Sequence, residues 1–332
     1  MKATYFVIVL LFSDITLTSC FIIESLVCGS AAAVAVVGVW YAWSQWDNVL
    51  HFDHKRLEKD LNENLYGQHI VWKVVQKAVS SFMTDSNPNK PLVLSFHGTT
   101  GVGKNYVSKI IARNIYKLGD KSEHFITFIS EHHFPHKDKV DMYSAQLKEK
   151  IHQHVLRFPR TMFVFDEMDK MNPQLVETVK PFLDYATHVD GVSFRHAIFI
   201  FLSNAGGDVI NKIALDFWKA GKNREELQMN SKEMETQILR NIFNDKSSGF
   251  WHSSLIDRHL VDHFVPFLPL ELKHVRQCVL TEMASLNISV HHYPDLADTV
   301  AREMPFFPSD EKIFSVKGCK SVRQKLMLYV DD

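Results

Sequence analysis

One stretch constrains this chain more than any other: Gly98 to Asn105, which reads GTTGVGKN. An apolar, strand-like run from Pro91 to His97 leads into it. Tyr106 to Lys117 follows, with apolar residues at helical spacing. Strand, glycine loop and helix form the setting in which G-x-x-x-x-G-K acts as a phosphate-binding loop. Gly98, Gly101 and Gly103 let the backbone turn so that N–H groups along Thr99, Thr100 and Val102 face phosphate oxygens. The start of the helix adds partial positive charge at the same point. Lys104 is placed to reach the β- and γ-phosphates of a nucleotide. The usual next residue is Ser or Thr, whose hydroxyl holds Mg²⁺. Here it is Asn105, so one part of the pattern is broken.

Two further runs support a nucleotide site. Thr161 to Glu167 is an apolar strand ending in two carboxylates. In P-loop enzymes such acids hold the Mg²⁺ shell and position the attacking water, which assigns Asp166 to the metal and Glu167 to the water. Ala197 to Asn204 is another buried-strand pattern, and its terminal Asn204 is suited to sense a γ-phosphate or hold the water. Taken singly, each has a plain structural explanation: a tight loop, a core strand with surface acids, a turn asparagine. In this order and spacing they point to ATP hydrolysis.

Composition sets the limits. Of 332 residues, 46% are hydrophobic, enough for a large domain plus a smaller one. A formal net charge of −1 provides no overall field for nucleic acid or acidic lipid, and no nucleic-acid partner is expected. The four cysteines, Cys20, Cys28, Cys278 and Cys319, are too few for a disulfide-built fold, although a late pair can still bridge in an oxidising compartment.

Residues 1–20 carry Lys2, an apolar core from Tyr5 to Phe12 and a small polar stretch to Cys20, which reads as a secretory signal peptide. Residues 21–46 read as a membrane-associating segment. Leu26 to Trp43 is free of charge, and 18 residues at ~1.5 Å each reach ~27 Å, near the minimum for a span. Trp40, Tyr41, Trp43 and Trp46 form an interfacial aromatic cluster. A full span and a helix lodged in one leaflet both remain open.

Beyond this, strand and helix alternate, predicting a parallel sheet between helices over residues 50–268. Helices are expected from Asp53 to Asn64, from the stretch Leu65 to Ile70 through about Phe82, from Val140 to Leu156, from Asn172 to about Tyr185 with a bend at Pro181, and from Val209 to Phe243. Residues 269–332 hold three further helical patterns, Leu270 to Leu286, Asp295 to Met304 and Gly318 to Tyr329, predicting a small helical C-terminal domain.

From about residue 50 onward the chain resembles the torsins, lumenal AAA+ ATPases related to Clp-type unfoldases, and is most similar to their A and B subgroup. The resemblance rests on Tyr66-Gly-Gln68, Gly98 to Asn105, Phe165-Asp-Glu-Met-Asp-Lys170, Phe201 to Gly206, Phe250 to Arg258 and Gly318-Cys-Lys320. Asn105 is itself a torsin trait. The resemblance implies an AAA+ P-loop domain with a helical C-terminal domain, binding ATP and Mg²⁺ along Gly98 to Asn105. It also implies Asp166 at the metal, Glu167 at the water, Asn204 as first sensor and Lys320 as second. A lysine supplies charge there as a point rather than a fork. Cys319 is implied to pair with Cys278, tying the second sensor to lumenal redox state.

The implied location is the lumen of the endoplasmic reticulum and nuclear envelope. The implied partners are the lumenal domains of membrane-anchored activators resembling lamina-associated polypeptide, with self-association or a mixed ring with the activator also expected and a filament left open. Torsins borrow a catalytic arginine from the activator, which leaves Arg258 a structural or interfacial role. Glu131 to Lys137 lacks the aromatic–Val–Gly pore loop of Clp-type relatives, so threading of polypeptide is not expected. His132, His133 and His136 read as a solvated loop rather than a metal site. Asn287-Ile-Ser289 is a glycosylation sequon if the chain is secreted, and otherwise a surface asparagine. Glu303, after Arg302 where relatives carry an acidic pair, belongs to a segment expected to face the activator. A second reading is a nucleotide-gated scaffold that binds ATP and partners with little catalysis.

Overall fold

The structure, a computed structural model, describes residues 49–228, 240 and 259–330. The signal peptide and hydrophobic segment expected over 1–46, and the motif from Phe250 to Arg258, lie outside the described residues. By contacts the chain divides into Met1–Leu50 and His51–Asp332, and every element labelled below belongs to the second unit. Among the described residues no helix is long and apolar enough to cross a membrane.

Two helices lead in. Helix α1 (His54–Asn64) starts where the Asp53 carboxylate accepts from Lys55 N–H at 2.9 Å, and it buries Leu57 and Leu61, one turn apart. Helix α2 (His69–Thr84) buries Ile70, Val71, Val75, Val79 and Phe82 along one stripe. Five parallel strands follow: β1 (Leu92–His97), β2 (Phe125–Ile129), β3 (Met162–Asp166), β4 (Ile198–Ser203) and β5 (His263–Pro266). They lie in the order β2-β3-β4-β1-β5. Helices α3 (Lys104–Ile115), α4 (Ser130–His133), α5 (Val140–Arg157), α6 (Pro173–Val179) and α7 (Gly207–Lys219) make the connections. Every residue of β1 and β4 is buried, the signature of a strand covered on both faces. Phenylalanines cross the sheet in contact, Phe163 with Phe199 at 5.1 Å and Phe165 with Phe201 at 5.5 Å between centroids.

Register decides where the chemistry falls. Phe165 pairs with Phe201, and His97 pairs with Ser203. The residues that follow, Asp166, Asn204 and Gly98, therefore emerge together at the carboxyl edge of the sheet. The chain order reverses there between β1 and β4, the place where open α/β sheets bind ligands.

Residues from Leu270 onward have an apolar core of their own. It is built by α8 (Leu272–Ser285), α9 (Leu296–Arg302) and α10 (Val322–Leu326), with a small hairpin, β6 (Phe306–Phe307) and β7 (Phe314–Ser315), that periodicity did not reveal.

Three helix expectations need correction. Of the pattern from Gly318 to Tyr329 only α10 is helical, because Gly318 is left-handed (φ 50°) and the residues up to Ser321 form a turn. The helix after Asn172 ends at Val179 and passes into a 3₁₀ turn, Lys180–Phe182, because Pro181 has no N–H to donate and its ring crowds the preceding turn. The stretch read as helical from Val209 to Phe243 leaves the helix after Lys219. Gly221 takes a left-handed conformation (φ 71°), and the chain runs through a 3₁₀ turn, Arg224–Glu226, as far as residue 228.

Candidate active site

The phosphate loop joins β1 to α3. Gly103, in the left-handed region (φ 107°), is the N-cap of α3, and Lys104 is its first residue. The ammonium of Lys104 folds back to donate to the carbonyls of Gly98 at 2.5 Å and Thr99 at 2.9 Å, and to Asn204 Oδ1 at 3.0 Å. Burial lowers its pKa to about 8. Asp169 and Asp166 oppose that shift, and the charge of Lys320 adds to it. Val102 is buried, and its carbonyl accepts from the side chain of Gln68 at 3.1 Å.

The acids stand at the end of β3. Asp166 Oδ2 accepts from Asn105 Nδ2 at 2.7 Å, Oδ1 accepts from Glu167 N–H at 2.9 Å, and its carbonyl accepts from Ser130 Oγ at 3.1 Å. Asn105 thus spends its amide nitrogen on the acid. Each carboxylate oxygen keeps lone-pair capacity, so the hard oxygen donors fit a Mg²⁺ ion held through water. Glu167 sits at φ 57°, a left-handed position that opens the 3₁₀ turn Met168–Lys170. Lys170 bridges Glu167 Oε1 at 3.3 Å and Glu131 Oε2 at 2.8 Å, and these carboxylates hold its proton more firmly. The Lys170–Glu131 pair walls a cleft with Phe134, Tyr143 and Leu175.

Lys320, expected as the second sensor, arrives from the C-terminal region. The turn before α10 lies directly on the phosphate loop. Cys319 N–H donates to the Gly101 carbonyl at 3.0 Å. Gly101 (φ 79°) and Gly318 (φ 50°) meet so closely that a Cβ on the first would overlap the Lys317 carbonyl, and one on the second would overlap the Gly101 carbonyl. Lys320 follows, exposed, with its Cβ 3.2 Å from where a Gly101 Cβ would stand. Cys319 is disulfide-bonded to Cys278 on α8, with Cα atoms 6.1 Å apart. The phosphate loop, Asp166, Glu167, Asn204 and Lys320 therefore converge.

Other expected residues lie elsewhere. Asn287 is exposed just past Leu286, the C-cap of α8, where its φ of 57° and the bond from Ile288 N–H to the Met283 carbonyl at 2.9 Å close the helix. His133 Nδ1 engages Ile129 N–H at 2.9 Å. Glu303 bonds Lys325 at 3.1 Å and the Tyr329 hydroxyl.

Sequence reasoning missed several residues that hold the site. Gln68, 2% exposed, bonds the Val102 carbonyl and both backbone groups of Leu268, pinning the back of the phosphate loop to the chain beyond β5. Arg224 donates twice to the Gly67 carbonyl, at 2.7 and 3.1 Å, and pairs with Glu271 at 3.4 Å. His274 lies against Gly67, its pKa pushed down to about 3 chiefly by burial. His97 is fully buried between Ser95 Oγ at 2.7 Å and the Ala205 carbonyl at 3.1 Å. Burial lowers its pKa to about 4, so it stays neutral. Since the carbonyl only accepts, Nδ1 carries the proton and Nε2 accepts from Ser95. The only signal for Gln68 was its place in a family motif, and Arg224 gave none.

Strand order, phosphate loop and paired acids define a P-loop nucleotide-binding domain of the AAA+ type with a helical C-terminal region. Comparison with known proteins agrees. The Torsin family model matches residues 41–165, and the model of the Torsin-1A C-terminal domain matches residues 270–329. The chain belongs to the torsin family of AAA+ ATPases, a family that binds and hydrolyses ATP, typically with Mg²⁺. Similar solved structures include Hsp104 in a closed state with ATPγS and FITC casein, with a TM-score of 0.61. Another is the S. cerevisiae Hsp104–ADP complex, with a TM-score of 0.56. Both are 16% identical to this chain, cover 83% of it and show a shared fold. The chain spans 46% of the length of each.

Proposed function

We propose that this chain is an ATPase of the endoplasmic reticulum and nuclear envelope lumen, active when a membrane-anchored partner completes its site. The observation that carries the reading is the approach of two lysines, Lys104 and Lys320, to one loop whose other border holds Asp166, Glu167 and Asn204. The charge of Lys320 adds to the cost of keeping Lys104 charged, and a polyphosphate relieves it. In this reading the backbone from Gly98 to Asn105 cradles the phosphates, and Lys104 exchanges its bonds to Gly98 and Thr99 for phosphate oxygens. Asp166 would hold Mg²⁺ through water, and the ion would supply charge neutralisation at the phosphates. Glu167, released from Lys170, orients a water and takes its proton as the water oxygen bonds to the γ-phosphorus and the bond to the β-phosphate oxygen breaks. Asn204 and Lys320 contact the terminal phosphate.

In this reading the lumenal domain of an activator resembling lamina-associated polypeptide supplies the arginine that completes the site. An arginine given in trans is worth ~10³–10⁵ in rate. The output would be remodelling of membranes or membrane proteins, or chaperone-like action. The hydrophobic segment 21–46 would hold the chain at the membrane, Asn287 would carry a glycan, and like subunits would join in a pure or mixed ring.

The test is phosphate release by the purified chain with and without an activator domain. Negligible release alone, strong release with activator, and a Glu167→Gln variant that traps the ATP-bound complex are expected. Flat release with folded activator would favour the scaffold reading, in which Asn105 occupies Asp166 and binding alone is the signal.

A further inference from the structure

Asp169, three residues beyond Asp166, has no part in the scheme above, yet it bonds one of that scheme's members, Asn204, and acts by charge on another, Lys104. Its Oδ1 accepts from the backbone N–H of Asn204 at 2.9 Å, and its Oδ2 lies 3.5 Å from Asn204 Nδ2. The first is a sound charge-assisted hydrogen bond; the second is long and acts mainly through charge. Together they fix both ends of Asn204. An ionised carboxylate only accepts, so it draws the NH₂ group to its own side. That turns Asn204 Oδ1 the other way, onto the Lys104 ammonium at 3.0 Å. Asp169 is also the foremost charge favouring protonated Lys104, ahead of Asp166. Asp169 itself is held by the turn Met168–Lys170, anchored by the fully buried Met168 and by Lys170 N–H on the Glu167 carbonyl at 2.9 Å.

We propose that Asp169 is the positioning residue that gives this site its preference for a nucleoside triphosphate over a diphosphate. It does so by setting the face that Asn204 and Lys104 jointly offer to the terminal phosphate. Asp169 touches no phosphate itself. Without it, the Asn204 amide is free to rotate its nitrogen toward Lys104, and two donors then oppose each other where one acceptor and one donor now pair. The loop N–H groups that hold the inner phosphates are unchanged. The loss therefore falls on the terminal phosphate and not on the diphosphate. The inference rests on the nucleotide reading of the site, and the test separates the two.

Affinities for ATP and ADP, each with Mg²⁺, are measured by calorimetry on the full chain. Asp169→Ala is expected to weaken ATP about tenfold and ADP by less than about twofold, the scale of one lost charge-assisted bond. Asp169→Asn keeps an acceptor for the Asn204 N–H and should restore part of the preference; it also carries the test if the alanine variant does not fold. Asn204→Ala should show the same selective loss, and the double variant no more than either alone. Equal weakening of ATP and ADP in both Asp169 variants would make Asp169 merely structural and overturn the proposal. So would an unchanged preference in them while Asn204→Ala loses it. If the unaltered chain binds neither nucleotide, the nucleotide reading has failed, and this inference with it.

Discussion

The phosphate loop is flanked by two regions built to different standards. On one side stand the strand ends of a sheet whose central members are wholly buried, with Asp166 and Asn204 fixed by register and hydrogen bonds. On the other lies the turn Lys317 to Lys320, held by a backbone bond to Gly101, the close meeting of two glycines, the Ser315 hydroxyl on the Gly318 carbonyl at 3.1 Å and a disulfide to α8. The sheet side cannot shift without unfolding the core. The turn side rests on fewer bonds, none of them part of the sheet. In the proposed reading this difference would separate binding from its control, with the sheet edge placing Asp166 and Asn204 and the turn placing Lys320.

The largest break in that contrast comes from the disulfide. It closes a loop with a sequence separation of 41, and losing such a link typically costs about 2–4 kcal/mol. Reduction, or Cys319→Ser, should loosen the C-terminal helices and weaken ATP binding while the sheet keeps its protection. Hydrogen exchange resolved along the chain reads this directly. Equal loss of protection in β1 and β4 would erase the distinction between the two regions.

Gly101→Ala should cost somewhat less, about 1–3 kcal/mol, from left-handed strain and from overlap with the Lys317 carbonyl. Chemical denaturation gives the stability, and a nucleotide titration on the same protein should show ATP affinity falling further than ADP affinity. A variant as stable and as selective as the original would mean that the turn does not rest on the loop.

The smallest effect is one of pH. Burial brings Lys104 to about 8 in the free chain, and a bound polyphosphate raises it. Below that value the lysine is already charged. Above it, binding must first return a proton, so ATP affinity should decline as pH rises past 8. Calorimetry in two buffers of different ionisation enthalpy should show proton uptake at pH 8.5 and almost none at pH 7. No uptake at the higher pH would remove Lys104 from the phosphate.

How much of this the sequence revealed follows from how local each feature is. The buried strands are unbroken apolar runs, and the phosphate loop lies within eight consecutive residues, so both were legible. The acids at Asp166 and Glu167 and the polar end at Asn204 were legible because each closes such a run. The ties that hold them were not. Gln68 reaches Leu268 across 200 positions and Arg224 reaches Gly67 across 157, and no periodicity encodes such pairs. Helix ends were misjudged where one residue outweighs the apolar pattern, at Pro181 and Gly221. The hairpin of Phe306–Phe307 with Phe314–Ser315 is two residues a side, too short to show alternation.

The central claim is that a nucleoside triphosphate lodges against Lys104 between the sheet edge and the C-terminal turn. Titration calorimetry of the folded, oxidised chain with ATP and Mg²⁺ tests it most directly. The account predicts saturable binding that Lys104→Ala abolishes while the variant melts as the original does. Absence of binding by the unaltered chain, even with an activator domain present, or undiminished binding by the variant, would contradict it.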